Sequence, residues 1–144
     1  MMNSITLDQA REIIAATFAE AGNAGMAPLA VVVLDAGGHP KAVERQDGAS
    51  NLRVEVARGK AFGAIGLGIG SRALMARAEQ QPSFIAAVNG AFGGALIPVP
   101  GGVLIRAADG SIVGAVGVSG DSSDNDERAA VAGIAAAGLV GETG

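Results

Sequence analysis

The segment Pro98–Arg128, PVPGGVLIRAADGSIVGAVGVSGDSSDNDER, decides the fold. It reads as a glycine-hinged strand, a two-residue turn, a second strand, and an acidic loop entering a helix. Val103 to Ala107 and Ser111 to Ser119 are the strands, and Asp109–Gly110 between them is a hairpin signal. Gly117-Val118-Ser119-Gly120 then leads through Asp121 to a helix start at Asp124. Such a glycine loop beside a helix N-terminus can present backbone N–H groups to a carboxylate or phosphate.

Working outward, the same grammar recurs. Leu29 to Asp35 is a Val-rich strand, and His39 to Arg45 returns from it after Gly37–Gly38. Asp47–Gly48 marks another turn. Thr6 followed by Gln9 is a capping-box pattern, and Ala10, Ile13, Ile14, Phe18 and Ala21 fall on one helical face. That helix is expected from about Leu7 to Ala24, stopped by Gly25. Ser50 is expected to cap a helix over Asn51–Leu67, and Ser71 and Pro82 to open two further ones. The sheet is expected to resume near Ala95. The order is helix, two strands, two or three helices, three strands, helix. Strands joined by hairpins predict an antiparallel sheet in the α+β class.

Composition removes several functions. The 144 residues suit one domain spanning 1–144, large enough to bury a core. The net charge of −4 and four aromatics, all Phe, argue against nucleic-acid binding by a basic stripe or a stacking platform. Without cysteine there are no disulfides, zinc–thiolate sites or thiol nucleophiles. Gln80 to Ile105 carries no charge, but its prolines and glycines are incompatible with a spanning helix of ~20 residues. The N-terminus shows no basic region followed by an apolar run, so a cytoplasmic protein without membrane contact is expected.

Each candidate group has an ordinary and a chemical reading. Asp124 as N-cap, with Glu127 closing a capping box, is the ordinary one, and it leaves the nearby N–H groups open to a ligand. Asp121, Ser123 and Asn125 have calcium-loop spacing, but Asp126 stands where the turn glycine belongs and Ala132 where the closing Glu belongs, so an EF-hand is rejected. On the helix from Asn51, the face defined by Val54, Ala57, Ala61, Phe62 and Ile65 includes Arg58, about 40° from Val54. Arg53 and Lys60 lie together at one edge. Arg58 either snorkels to solvent or, with Lys60, neutralises an acidic ligand. His39, the sole histidine, sits at a hairpin turn, ordinarily an exposed and inert place. It can also serve as one axial ligand of a haem iron. Met75 belongs to an apolar helix face.

Several stretches, in order, resemble the GlcG/HbpS family, which includes the C-terminal domain of PduO-type proteins. They are Val31–His39, Arg45–Ala49, the helix positions Ala57, Lys60 and Ala61, the turn Pro98–Val103, the strand Gly114–Gly120, and Asp126–Glu127. The resemblance covers most of the chain. It implies a profilin-like fold, with an antiparallel sheet of about five strands between helices on both faces. It further implies a homo-oligomer and a small-molecule ligand, haem or a related tetrapyrrole. Leu104 departs from the proline common in the family after Gly-Gly-Val. On this reading Arg58, Lys60, Gly101, Gly102, Gly117, Ser119 and Gly120 contact the ligand. The alternatives are an enzyme or accessory protein acting on a small organic acid, with Lys60, Asp124 or Glu127 as acid–base groups, and a structural oligomer without turnover.

Overall fold

The structure is a computed structural model that describes residues 3–144. Met1 and Met2, the start of the segment read for an export signal, lie outside the described residues. Helix α1 spans Leu7–Asn23, β1 Ala30–Asp35, β2 Pro40–Arg45, α2 Arg53–Leu67, α3 Ser71–Gln80 and α4 Pro82–Ala91. They are followed by β3 at Gly102–Arg106, β4 at Ile112–Ser119, α5 at Ser123–Ala136 and β5 at Val140–Glu142. The five strands form one antiparallel sheet in the order β2-β1-β4-β3-β5.

The expected α+β class and five-stranded antiparallel sheet are what the chain forms, with one strand elsewhere. The segment near Ala95 is not a strand, and the fifth strand is Val140–Glu142 on the β3 edge. Apolarity near Ala95 reflects packing on α2: Ile97 N–H reaches the Gly59 carbonyl, but no strand pairs beside it.

Strands buried on both faces explain the unbroken apolar runs. Val31 and Val33 of β1 point into a core with Ile13, Ile14, Ala129 and Ile134 of α1 and α5. Val32 and Leu34 point the other way, toward Ala57, Ala61 and Ala64 of α2. Alternation along a strand therefore assigns the two helical layers. A third cluster, Leu74, Ile85 and Leu96, holds α3 and α4.

Local signals act where expected at several ends. Thr6 Oγ1 accepts from Gln9 N–H, and Gln9 Oε1 accepts from Thr6 N–H. Pro82 stands in the first turn of α4. Two caps differ. Helix α2 starts at Arg53 without a side-chain cap, and Ser50 Oγ accepts from Arg53 Nε instead. Ser122, not Asp124, caps α5: its Oγ accepts from Asn125 N–H. No helix among the described residues is long and apolar enough to cross a membrane.

Candidate functional site

Small residues let α2 sit close on the sheet, and that proximity assembles a buried polar centre. A methyl on Gly117 would strike the Ala57 carbonyl, and one on Gly102 the Lys60 carbonyl. Gly102 N–H donates to Ser71 Oγ at 2.7 Å, tying β3 to the start of α3. Lys60, only 2% exposed, runs past Gly101 at this sheet end. Its Nζ donates to Asp126 Oδ2 at 2.9 Å and to the Val118 carbonyl at 3.0 Å. Asp126 Oδ1 accepts from Asp121 N–H at 2.9 Å. Every buried charge thus has a partner, as burial demands.

Burial sets the electrostatics of this pair. Desolvation lowers the Lys60 pKa, against the pull of Asp126 and with a smaller push from Arg53. Desolvation likewise raises the Asp126 pKa, against Lys60 and backbone N–H donors. Arg53 Nη1 donates to the buried Ser119 Oγ at 3.0 Å, beside the same strand end.

The sequence-selected residues therefore divide. Lys60, Gly101, Gly102, Gly117, Ser119 and Gly120 converge at one end of the sheet, packed against one another, α2 and Pro28–Leu29. Arg58 does not join them. It is exposed, with its guanidinium 5.4 Å from the Phe62 ring centroid. Asp124 and Glu127 both bind Arg72 of α3, Glu127 Oε2 at 3.0 Å, rather than forming a capping box. His39 has an 80% exposed side chain at the β1–β2 turn, 3.5 Å from Asp35. Asp35 Oδ1 also accepts from Gly37 N–H and His39 N–H, and the His39 N–H leads the causes that hold its carboxyl below the usual range. Met75 is half-buried on α3.

Asp126 and Ser71 were not among the residues selected from sequence. Asp126 did leave a signal: it shares a stripe with the buried Ala129, Ala130, Gly133 and Ile134, at helical spacing. Lys60 shares one with Ala57, Ala61 and Ala64. An acid in one apolar stripe and a base in another is the pattern that marks such a pair.

A cleft of about 550 Å³ opens elsewhere, between the end of α1 and the segment that leaves β2. One wall is Phe18, Ala21, Met26 and Pro28, and the other is Glu44, Arg45, Gln46 and Asp47. Its shape is set by backbone. Gly25, at φ 67°, ends α1 in a Schellman motif, with Met26 N–H on the Ala21 carbonyl at 2.9 Å and Gly25 N–H on that of Gly22. This packs Met26 back against the helix end. Opposite, Gln46 Oε1 accepts from Leu29 N–H at 2.8 Å, and Arg45 Nη1 donates to the Ala49 carbonyl at 2.7 Å. A cavity of this size with a few convergent polar groups has the proportions of a small-molecule site. No cluster of three or more metal-binding side chains occurs among the described residues.

With fold and cavities in view, the chain is an α+β domain built on a five-stranded antiparallel sheet, and comparison supplies the family. Residues 5–135 match the family described as haem degrading protein HbpS-like, and the chain belongs to it. PduOC, in its complex with haem, superposes with a TM-score of 0.84 at 23% identity, covering 94% of this chain and 96% of that one. Protein ORFY of Klebsiella pneumoniae gives 0.83 at 24% identity, covering 93% and 90%. A double mutant of HbpS from Streptomyces reticuli gives 0.80 at 28% identity, covering 92% and 86%. Comparison with curated proteins finds no match.

Proposed function

We propose that this protein binds haem or a related tetrapyrrole, in the cleft between the end of α1 and the segment that leaves β2. Family membership supports the ligand class at the coarse level. The observation that carries the placement is the composition of that cleft. It joins an apolar wall with Phe18, a thioether at Met26, and the cation Arg45, which stands between the carboxylates Glu44 and Asp47.

The apolar wall, Met26 and the remaining donors of Arg45 fit the group, while Glu44 and Asp47 restrict its acidic edge to the Arg45 side. Tetrapyrroles are flat and apolar with acidic edges, and pockets of about 300–1,000 Å³ with few polar groups take ligands of this kind. Ala21 and Gly22 leave room for a ring beside the helix end. Arg45 is the residue to pair a propionate, a charge-assisted bond. Met26 offers sulfur, one of the side-chain donors that hold haem iron. Bound haem would supply redox-active iron, whose potential the axial ligand and the polarity of the wall tune. The centre around Lys60 offers less to such a ligand, because Lys60 is already neutralised by Asp126 and has no open face.

Hemin titration of the tag-free protein tests the proposal. The expected result is a saturable Soret shift of defined stoichiometry. Arg45→Ala is expected to weaken it roughly tenfold, the scale of one charge-assisted bond. His39→Ala is expected to leave it unchanged. A flat titration overturns the function, and binding indifferent to Arg45→Ala and Met26→Leu overturns the placement.

A further inference from the structure

Helix α2 carries a groove made of glycine. Gly59, Gly63 and Gly66 fall within about 60° of one another at 100° per residue. A methyl on Gly59 would strike the Ala95 carbonyl and Ile97, one on Gly63 would strike Leu96, and one on Gly66 would strike Phe92. Glycine is unfavourable inside a helix, so three in one stripe need a reason. The reason is the chain between α4 and β3, which lies along the stripe as a strap. A cleft opens on each side of it. One, of about 230 Å³, separates Leu96 and Pro98 of the strap from Pro82, Ile85 and Asn89 of α4. The other, of about 260 Å³, separates Gly94, Ala95 and Ile97 from Leu52 and Val56 on the α2 side. The strap is the wall they share.

The strap is held lightly. It pairs with no strand, and Pro98 and Pro100 have no N–H to give. Leu96 N–H donates to Asn89 Oδ1 at 3.0 Å, and Ile97 N–H to the Gly59 carbonyl at a long 3.4 Å. Among the described residues no other hydrogen bond ties Leu96–Pro100 to the rest of the fold, because Val99 N–H turns back on the Ile97 carbonyl. The two ends differ. Gly93 and Gly94, at φ 67° and 82°, have open space where a side chain would stand. Gly101 and Gly102 are fastened, by Val118 N–H on the Gly101 carbonyl and by Gly102 N–H on Ser71 Oγ. One end can turn while the other stays with the sheet.

We propose that Gly93–Pro100 is a hinged strap that lifts from α2 while the sheet stays folded, joining the two clefts into one groove floored by Gly59, Gly63 and Gly66. Segments with few backbone bonds and few buried contacts open ahead of the global transition. Neither cleft shares a residue with the one at Arg45, so the proposal does not rest on the haem reading. Residue-resolved amide hydrogen exchange of the ligand-free protein is the test, with circular dichroism confirming that each variant is folded. Leu96 and Ile97 are expected to exchange about a hundredfold or more faster than Val32 of β1 and Val116 of β4. Asn89→Ala removes the acceptor of Leu96 N–H and is expected to speed both strap amides about fivefold. Ile134→Val thins the core on the far face of the sheet. It is expected to speed Val32 and Val116 about fivefold and to leave Leu96 and Ile97 unchanged, because the lifted state keeps that core. Strap amides as protected as Val116 overturn the proposal. So do strap amides that accelerate with Val116 in Ile134→Val, or that ignore Asn89→Ala.

Discussion

Lys60 of α2 and Asp126 of α5 come from helices on opposite faces of the sheet, yet their charged atoms lie 2.9 Å apart around its end. Both side chains are buried, at 2% and 1% exposure. The pair links the two helical layers where the sheet itself stops. Burying it is costly, because desolvation pushes the Lys60 pKa down and the Asp126 pKa up. Such a pair adds little net stability over apolar side chains of similar volume, although losing one partner alone is costly.

Breaking the pair is expected to cost far more than replacing it. Asp126→Leu leaves an unpaired buried ammonium and Lys60→Met an unpaired buried carboxylate, each at about 3–5 kcal/mol. The double variant Lys60→Met/Asp126→Leu is expected to be much milder than the sum of the two single changes. Urea denaturation of the four proteins gives the coupling directly. Additive single costs would show that the two side chains do not act as a unit.

Gly101 is where the lysine passes. A methyl there would lie 2.9 Å from Lys60 Nζ and 2.8 Å from the Val118 carbonyl, at a φ of 120° that side chains rarely adopt. Gly101→Ala is expected to destabilise by about 1–3 kcal/mol through the backbone alone, and by more through the lysine. In a Lys60→Ala background the second part disappears, so the glycine substitution costs less there. Equal costs in both backgrounds would assign the whole effect to φ and the Val118 carbonyl.

Acid sensitivity has a local source at the β1–β2 turn. The Asp35 carboxylate accepts His39 N–H and Gly37 N–H, which depresses its pKa below the unfolded value of about 3.9. A depressed carboxylate pKa contributes stability that is present above the unfolded value and is lost as pH falls through the folded one. Asp35→Asn is therefore expected to destabilise at pH 7 and to have a progressively smaller effect as pH falls through the folded value. Denaturation midpoints of both proteins across that range check the sign. A gap that widens on acidification would contradict it.

Ligand linkage offers a label-free check of the cleft. A ligand that binds only the folded state adds about 2.7 kcal/mol at a hundredfold excess over its dissociation constant. At that concentration a tenfold weaker Arg45→Ala gains only about 1.4 kcal/mol, so hemin is expected to raise its melting temperature about half as much as the parent's. Equal shifts in both would place binding elsewhere.

Legibility followed the range of the interactions. The Thr6–Gln9 box, the stop at Gly25 and the Asp109–Gly110 turn each involve neighbours in sequence, and each forms as read. The α5 cap lies two residues before the expected Asp124, because Ser122, Ser123 and Asp124 are all good caps and only the loop path chooses among them. The stretch near Ala95 looked like a strand because helix packing and strand pairing both ask for apolar residues there. Helical spacing puts Arg58 within the apolar face of its helix and Lys60 at its edge. The small residues of α2 turn its buried stripe toward Lys60 instead.

The sequence by itself determined the succession of helices and hairpins, the α+β class and the family resemblance. Periodicity, caps and turn residues are local and need no partner to be read. Only the tertiary structure decided which segment supplies the fifth strand, which cation is buried, and where a cleft remains open. Those outcomes depend on how closely α2 can approach the sheet over Gly102 and Gly117, and so on contacts between residues far apart in the chain.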